Sequence, residues 1–232
     1  MAMLLRVCLS FTLVFFCRAV QAQSMPSADE LFNTHTKRLG FADALVLYST
    51  VEAHAHVTVA EREYDTIVKA SISHAGLGDA EFTIVRDGVA TLYADHSGVL
   101  TRSVGPGVAE PLAEGMRGFV WGHQFHLRVL FPKLMLPSID SPVSEAIFGD
   151  TPAYKVVGKT HEGDRLIYYF DTTSKILLGF SLVVTEESGP NLLEFTLGDW
   201  STTGGETVFW RLEIVDKADL YIYEFNKILL LP

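Results

Sequence analysis

His123 and His126, in the stretch Trp-Gly-His-Gln-Phe-His (121–126), stand three residues apart, a spacing that brings two imidazoles near each other on a helix. A second pair, His54 and His56, lies in Val-Glu-Ala-His-Ala-His-Val-Thr-Val (51–59). Together they offer four neutral nitrogen donors, the set a zinc-dependent hydrolase would use. The spacing argues against it. HxH and HxxH lack the glutamate of the HExxH metalloprotease helix. His54 and His56 share a strand face with Glu52 and Thr58, while Val51, Ala53, Ala55, Val57 and Val59 form the face that must be buried, so these histidines are expected to point to solvent. On a helical wheel His123 falls within an apolar stripe and His126 about 60° away. The expected metal set is therefore none. His123 reads as a satisfied core histidine and His126 as a boundary histidine, with a pH-sensitive contact at a lid as the alternative.

Other chemistries have less support. The sequence contains no Gly-x-Ser-x-Gly elbow and no Gly-rich phosphate loop between strand and helix. Acidic pairs such as Glu61/Glu63 and Glu186/Glu187 fall near strand ends, where solvated charge is the ordinary role. No catalytic residue and no cofactor are expected.

The elements that must position these residues begin after an export leader. Arg6 precedes an apolar run from Val7 to Cys17, followed by Val20-Gln21-Ala22, which is the layout of a secretory signal peptide. That run is too short to span a bilayer, which takes about 20 residues. Cleavage is expected after Ala22, leaving residues 23–232 as one domain in the periplasm. Both cysteines, Cys8 and Cys17, go with the leader, so the mature chain has no disulfide, thiolate ligand or thiol nucleophile. Loss of Arg6 and Arg18 leaves 16 basic against 28 acidic side chains, a formal charge of −12. Such a chain is repelled by nucleic acid and by anionic membrane.

Ser27-Ala28-Asp29-Glu30 is a capping box opening a short helix that stops at Gly40, with Leu31, Thr34 or His35, and Arg38 or Leu39 on one face. Beyond it the period changes from helical to two. Alternating runs at 44–59 and 62–73 are followed by three strands separated by Asp87-Gly88 and His96-Ser97-Gly98. The second half continues through PAYKVVGK, RLIYYFD, KILLGFSLVV, NLLEFTLGDW, ETVFWRLEIV and DLYIYEFNKIL, each set off by turn residues. The fold class is mainly β (α+β), a strongly curved antiparallel sheet covered by an N-terminal helix and a central helical lid.

That lid is expected within residues 108–136, where alternation fails. On the wheel residues 119–136 show two apolar stripes, Phe119, Val120, Leu127, Leu130, Phe131 and Leu134 on one side and Trp121, Phe125, Val129 and Leu136 nearly opposite. Polar seams with Gln124 and Arg128, and with Gly122, His126 and Lys133, separate them. A helix apolar on two sides lies between two apolar partners or covers a hydrophobic cavity. Pro132 should break it near Phe131, giving two short pieces. Phe119, Trp121, Phe125, Leu127, Leu130, Phe131 and Leu134 are accordingly the candidate ligand-binding residues.

Residues 149–214 then resemble the LolA/LolB-like outer-membrane lipoprotein-sorting superfamily. The similarity rests on the apolar strand following Gly149 and Tyr154, the aromatic strand ending at Asp171, the turn Thr172-Thr173-Ser174-Lys175 with Ile176-Leu177-Leu178, a strand ending near Asp199-Trp200, and Arg211-Leu212-Glu213-Ile214. The closing LYIYEFNKI is similar in kind. The resemblance implies an incomplete β-barrel whose concave apolar face, covered by helices, binds acyl chains or a comparable hydrophobic molecule. Three functional readings follow: a periplasmic carrier of a lipid-like ligand, a module holding another envelope protein, and, last, a metal-dependent hydrolase.

Overall fold

The computed structural model describes residues 25–41, 50–73, 76–186 and 189–232, so the leader and its cleavage site lie outside the described residues. Helix α1 spans Ala28–Arg38. The Ser27 hydroxyl accepts from the Glu30 amide at 3.1 Å, and Gly40 ends the helix with φ of 86°. Its buried face is Leu31, His35 and Leu39 with Phe32.

The sheet follows from period-two patterning. Strand β1 (Thr50–Val59) buries every second residue, Val51 to Val59, and pairs with β2 (Arg62–Ser73) and with the last strand, β16 (Asp219–Leu231). Strands β3 (Gly76–Arg86), β4 (Val89–His96) and β5 (Val99–Val104) continue one wing, ending at the short β6 (Glu110–Pro111). The reversals Asp87-Gly88 and Ser97-Gly98 carry positive φ at both residues, as tight two-residue hairpins require. The other wing runs from β16 through β15 (Arg211–Asp216), β12 (Gly189–Gly198), β11 (Leu177–Glu186), β10 (Arg165–Asp171) and β9 (Thr151–Lys159) to β7 (Ser138–Ile139), with β8 (Ser144–Phe148) pairing beside it on β9. This is one antiparallel sheet of 14 strands. Among the described residues its end strands β6 and β7 do not pair, so the barrel stays open.

Two sequence expectations need correction. The run NLLEFTLGDW is strand as far as Gly198, but ETVFWRLEIV is split at Phe209-Trp210. Between β12 and β15 the chain leaves the sheet as a separate hairpin, β13 (Ser201–Thr203) and β14 (Glu206–Val208). It docks on the end of α1, where the Thr207 amide donates to the Leu39 carbonyl at 2.8 Å. A Cβ at Gly40 would lie 2.3 Å from the Gly205 carbonyl oxygen, so only glycine admits this approach.

The central helix is three pieces rather than two: α2 (Arg117–Gly122), α3 (Phe125–Leu130) and α4 (Pro132–Met135), preceded by a 3-10 turn at Glu114–Met116. The second break, at Phe131, is the one Pro132 enforces. The first falls at Gln124, whose ψ of 61° lies outside the helical range and restarts the helical phase one residue after His123. The break moves one residue, Trp121, from its expected stripe to the other. Val120, Leu127, Leu130 and Phe131 pack with Val51, Ala70, Ile72 and Leu100 of the first wing, and Trp121 joins them. Phe125, Val129 and Leu136 pack with Tyr168, Phe180 and Phe195 of the second wing. Phe119 contacts both groups. The helices thus form a wedge between the two wings of the sheet.

The polar seam of Gln124 and Arg128 is buried within the wedge, while Lys133 of the other seam is exposed. Gln124 and Arg128 are 3% and 2% exposed.

Candidate functional site

Where the wedge stops, the concave face is uncovered and a cavity of about 1120 Å³ remains. Its floor is made of residues two apart on strands of both wings, near the ends where β1 turns into β2, β3 into β4 and β15 into β16. Phe82 and Ile84 come from β3, Leu182 and Val184 from β11, Leu193 and Phe195 from β12, and Tyr221 and Tyr223 from β16. Each pair occupies the inward positions of its strand, so the period that buries a sheet face also makes this surface apolar. Tyr64 and Tyr223 hydrogen-bond through their hydroxyls at one side, and burial raises the pKa of both phenols.

The roof is the segment from Glu114 to Phe125. One end is fixed to the β4–β5 turn. Asp95, 4% exposed, accepts from Trp121 Nε1 at 2.9 Å, Arg117 Nε at 3.0 Å and the Gly98 amide at 3.0 Å. Between Arg117 and Trp121 the roof also faces the β9–β10 loop, where a Cβ on Gly118 would lie 3.7 Å from Asp164 Oδ2. Phe119 closes the roof against Phe82 and Tyr93, with ring centroids 5.4 and 5.1 Å apart. Polar side chains stand around the cavity: Glu114 and Arg117, His161, Glu162 and Asp164, and Asp216. Burial, with Glu162 beside it, lifts the Asp164 carboxyl above the ordinary carboxylate range.

Three histidines are packed as neutral groups. His123 stacks on Phe82 at 3.8 Å and its Nδ1 donates to the Phe119 carbonyl at 2.7 Å. His126 stacks on Phe209 at 4.0 Å and its Nε2 donates to the Phe209 carbonyl at 3.1 Å. In α1, His35 Nε2 donates to the Val129 carbonyl at 2.7 Å while its Nδ1 accepts from the Leu177 amide at 3.2 Å, which fixes its tautomer. Desolvation lowers all three imidazoles to about 4. His126 is fully buried, not a boundary residue. His54 and His56 lie on the opposite, convex face of β1, engaged by Glu52 at 2.7 Å and by Asp65 at 3.0 Å. The four histidines of the metal reading therefore do not converge. Among the described residues no three His, Cys, Asp or Glu side chains are grouped to hold a metal.

Of the seven residues selected from the sequence, Phe119 and Phe125 border the cavity. Trp121, Leu127, Leu130, Phe131 and Leu134 lie on the wedge's other side, against the first wing. The floor residues were not singled out from the sequence. Each belongs to an alternating strand, and their common signal is an inward position beside a hairpin turn. No helix among the described residues is long and apolar enough to cross a membrane.

No protein-family model and no curated protein sequence matches the chain. Solved structures do. A LolA-superfamily protein from Nitrosomonas europaea superposes with a TM-score of 0.58 at 9% identity, over 89% of this chain and 94% of that one. A DUF1329-family protein from Desulfovibrio piger superposes with a TM-score of 0.57 at 8% identity, over 89% and 94%. The chain therefore has the open half-barrel fold of LolA-superfamily proteins, and the similarity extends over its first half as well as its second.

Proposed function

We propose that this protein is an exported, soluble binder of a lipid-like hydrophobic molecule, which it holds in the cavity beneath residues 114–125 and carries within the periplasm. Residues 1–22 serve export and are removed, and residues 23–232 form the binding domain. The observation that supports this reading is the cavity: about 1120 Å³, floored by aliphatic and aromatic side chains, and at least as large as typical small-molecule sites. Burying an acyl chain of a dozen methylenes there would contribute on the order of 10 kcal/mol before entropic costs. Carriage of this kind needs no bond to be made or broken. Phe119 and Phe125 contact the ligand. Trp121, Leu127, Leu130, Phe131 and Leu134 hold the roof in place from the other side of the wedge. The LolA-superfamily fold agrees with the reading.

The test is native mass spectrometry of the protein exported by a bacterial host, followed by solvent extraction. The reading expects a chain beginning at Gln23 and a bound hydrophobic species that extraction releases. Export with the leader retained would refute the cleavage. A mass equal to the bare polypeptide, together with no uptake of added amphiphile, would refute the carrier role.

A further inference from the structure

We infer that the ligand is a cationic amphiphile, with an apolar body among the cavity's rings and an ammonium-type charge at its acidic rim, and that lipids ending in carboxylate or phosphate are selected against. The inference rests on the cavity being a ligand site, as proposed above. Its basis is the distribution of charge. Four carboxylates border the cavity, those of Glu114, Glu162, Asp164 and Asp216, against a single guanidinium, that of Arg117. That guanidinium is already committed, to Asp95 at 3.0 Å, to Glu114 and to the Gly98 carbonyl at 3.1 Å. It has little left to offer an incoming anion.

Glu162 and Asp164, by contrast, make no ion pair among the described residues. The cation that Asp164 senses is Arg128, which is buried behind the roof and hydrogen-bonded to the Trp121 carbonyl. Burial and the neighbouring Glu162 both make a negative charge on Asp164 costly, and an ammonium group at the rim would relieve both. An anion there would add to them. His123 supplies no positive charge near neutral pH, since its imidazole is held at about 4. The His161 ring is engaged at the Leu134 carbonyl, 3.1 Å away. The walls favour the same sign. The ring faces of Tyr64, Phe119, Phe195, Tyr221 and Tyr223 are negative in their quadrupole and attract ammonium groups, more strongly where water is excluded. The formal charge of −12 on the chain without its leader adds a field that attracts cations to the rim.

The experiment displaces N-phenyl-1-naphthylamine, a neutral fluorescent probe, from the purified protein with three ligands of one chain length: dodecyltrimethylammonium, dodecanol and dodecanoate, each below its micelle concentration. Binding of the ammonium about tenfold or more tighter than the carboxylate, with the alcohol between them and the gap narrowing in high salt, supports the inference. In the double variant Glu162→Gln, Asp164→Asn the ammonium-to-carboxylate ratio should fall roughly threefold or more. A Val184→Trp variant, which places an indole on the cavity floor, separates this from cationic detergent bound elsewhere on an acidic protein, because direct binding of the ammonium, read by calorimetry, must weaken with it. Equal affinities for the three ligands, or a preference for the carboxylate, overturn the charge selectivity and leave the hydrophobic site standing. Failure of the probe and of all three ligands to bind overturns both.

Discussion

Asp95 and Trp121, 26 residues apart, meet through a 2.9 Å hydrogen bond from the indole to a carboxylate that is nearly buried. Because Arg117 binds the same carboxylate oxygen, one side chain at the end of β4 fixes both ends of α2 and so sets the height of the roof over the cavity. Replacing Asp95 by Ala leaves the indole N–H and the Arg117 Nε–H without their acceptor. The expected cost is about 2–4 kcal/mol in urea unfolding. Trp121→Phe, which leaves Asp95 its other two donors, should cost less, and a larger loss in Trp121→Phe than in Asp95→Ala would contradict this arrangement.

Acid should destabilise the protein through its buried imidazoles. In the unfolded chain a histidine takes up a proton near pH 6.5, whereas His35, His123 and His126 resist it until about 4 in the fold. The unfolded state therefore binds more protons between these values. The stability these groups contribute is complete above about 6.5, falls as pH drops towards 4, and changes no further below it. For His35 and His126, which are 0% and 1% exposed, the loss is on the order of 3 kcal/mol each by pH 4. Urea midpoints measured from pH 7.5 to 4 should show the slope, and His126→Phe should flatten it. An unchanged slope in that variant would mean His126 does not titrate in this window.

Arg128 is a buried cation with incomplete partners. Its Nη2 donates to the Trp121 carbonyl at 3.3 Å, while Nε and Nη1 have no hydrogen-bond partner among the described residues. Burial lowers its pKa. Methionine has similar length without the desolvation cost, so Arg128→Met is expected to be neutral or stabilising by about 1 kcal/mol or more. A loss of more than about 2 kcal/mol would assign the guanidinium a structural role that its bonds do not display.

The wedge separates packing from binding. Phe131→Ala opens a hole between α3 and the first wing and should cost about 3–5 kcal/mol while leaving probe affinity within about twofold. Val184→Trp, on the cavity floor, should do the reverse. Equal loss of binding in both variants would show that the two sides of the wedge are not independent.

The fold was largely legible because its signals are local. Ser27 and Gly40 mark the ends of α1, Asp87-Gly88 and Ser97-Gly98 mark hairpins, and alternation from Val51 to Val59 marks a buried face. The site was legible only in part. The apolar stripes of residues 119–136 correctly implied two apolar partners, yet Gln124 breaks the helix, and a wheel carried across that break assigns Trp121 to the wrong side and gives Phe119 one side where it touches both. The break has no proline to announce it. Gln124 instead sends its amide to the Glu81 carbonyl on β3, 43 residues away, at 2.9 Å. A long-range bond of this kind leaves no mark on local periodicity. The β13–β14 hairpin was hidden likewise, because its departure from the sheet depends on the contact between Gly40 and Gly205. Which stretch of the concave face stays empty depends on where the wedge ends, a property of the assembled wings.

The most direct test of the central claim is titration of the delipidated protein with N-phenyl-1-naphthylamine, compared with its Val184→Trp variant. Saturable binding at one site per chain, severalfold weaker in the variant while its urea midpoint holds, is the expected result. Binding unaffected by the tryptophan, or no saturable binding in either protein, would contradict a ligand site beneath residues 114–125.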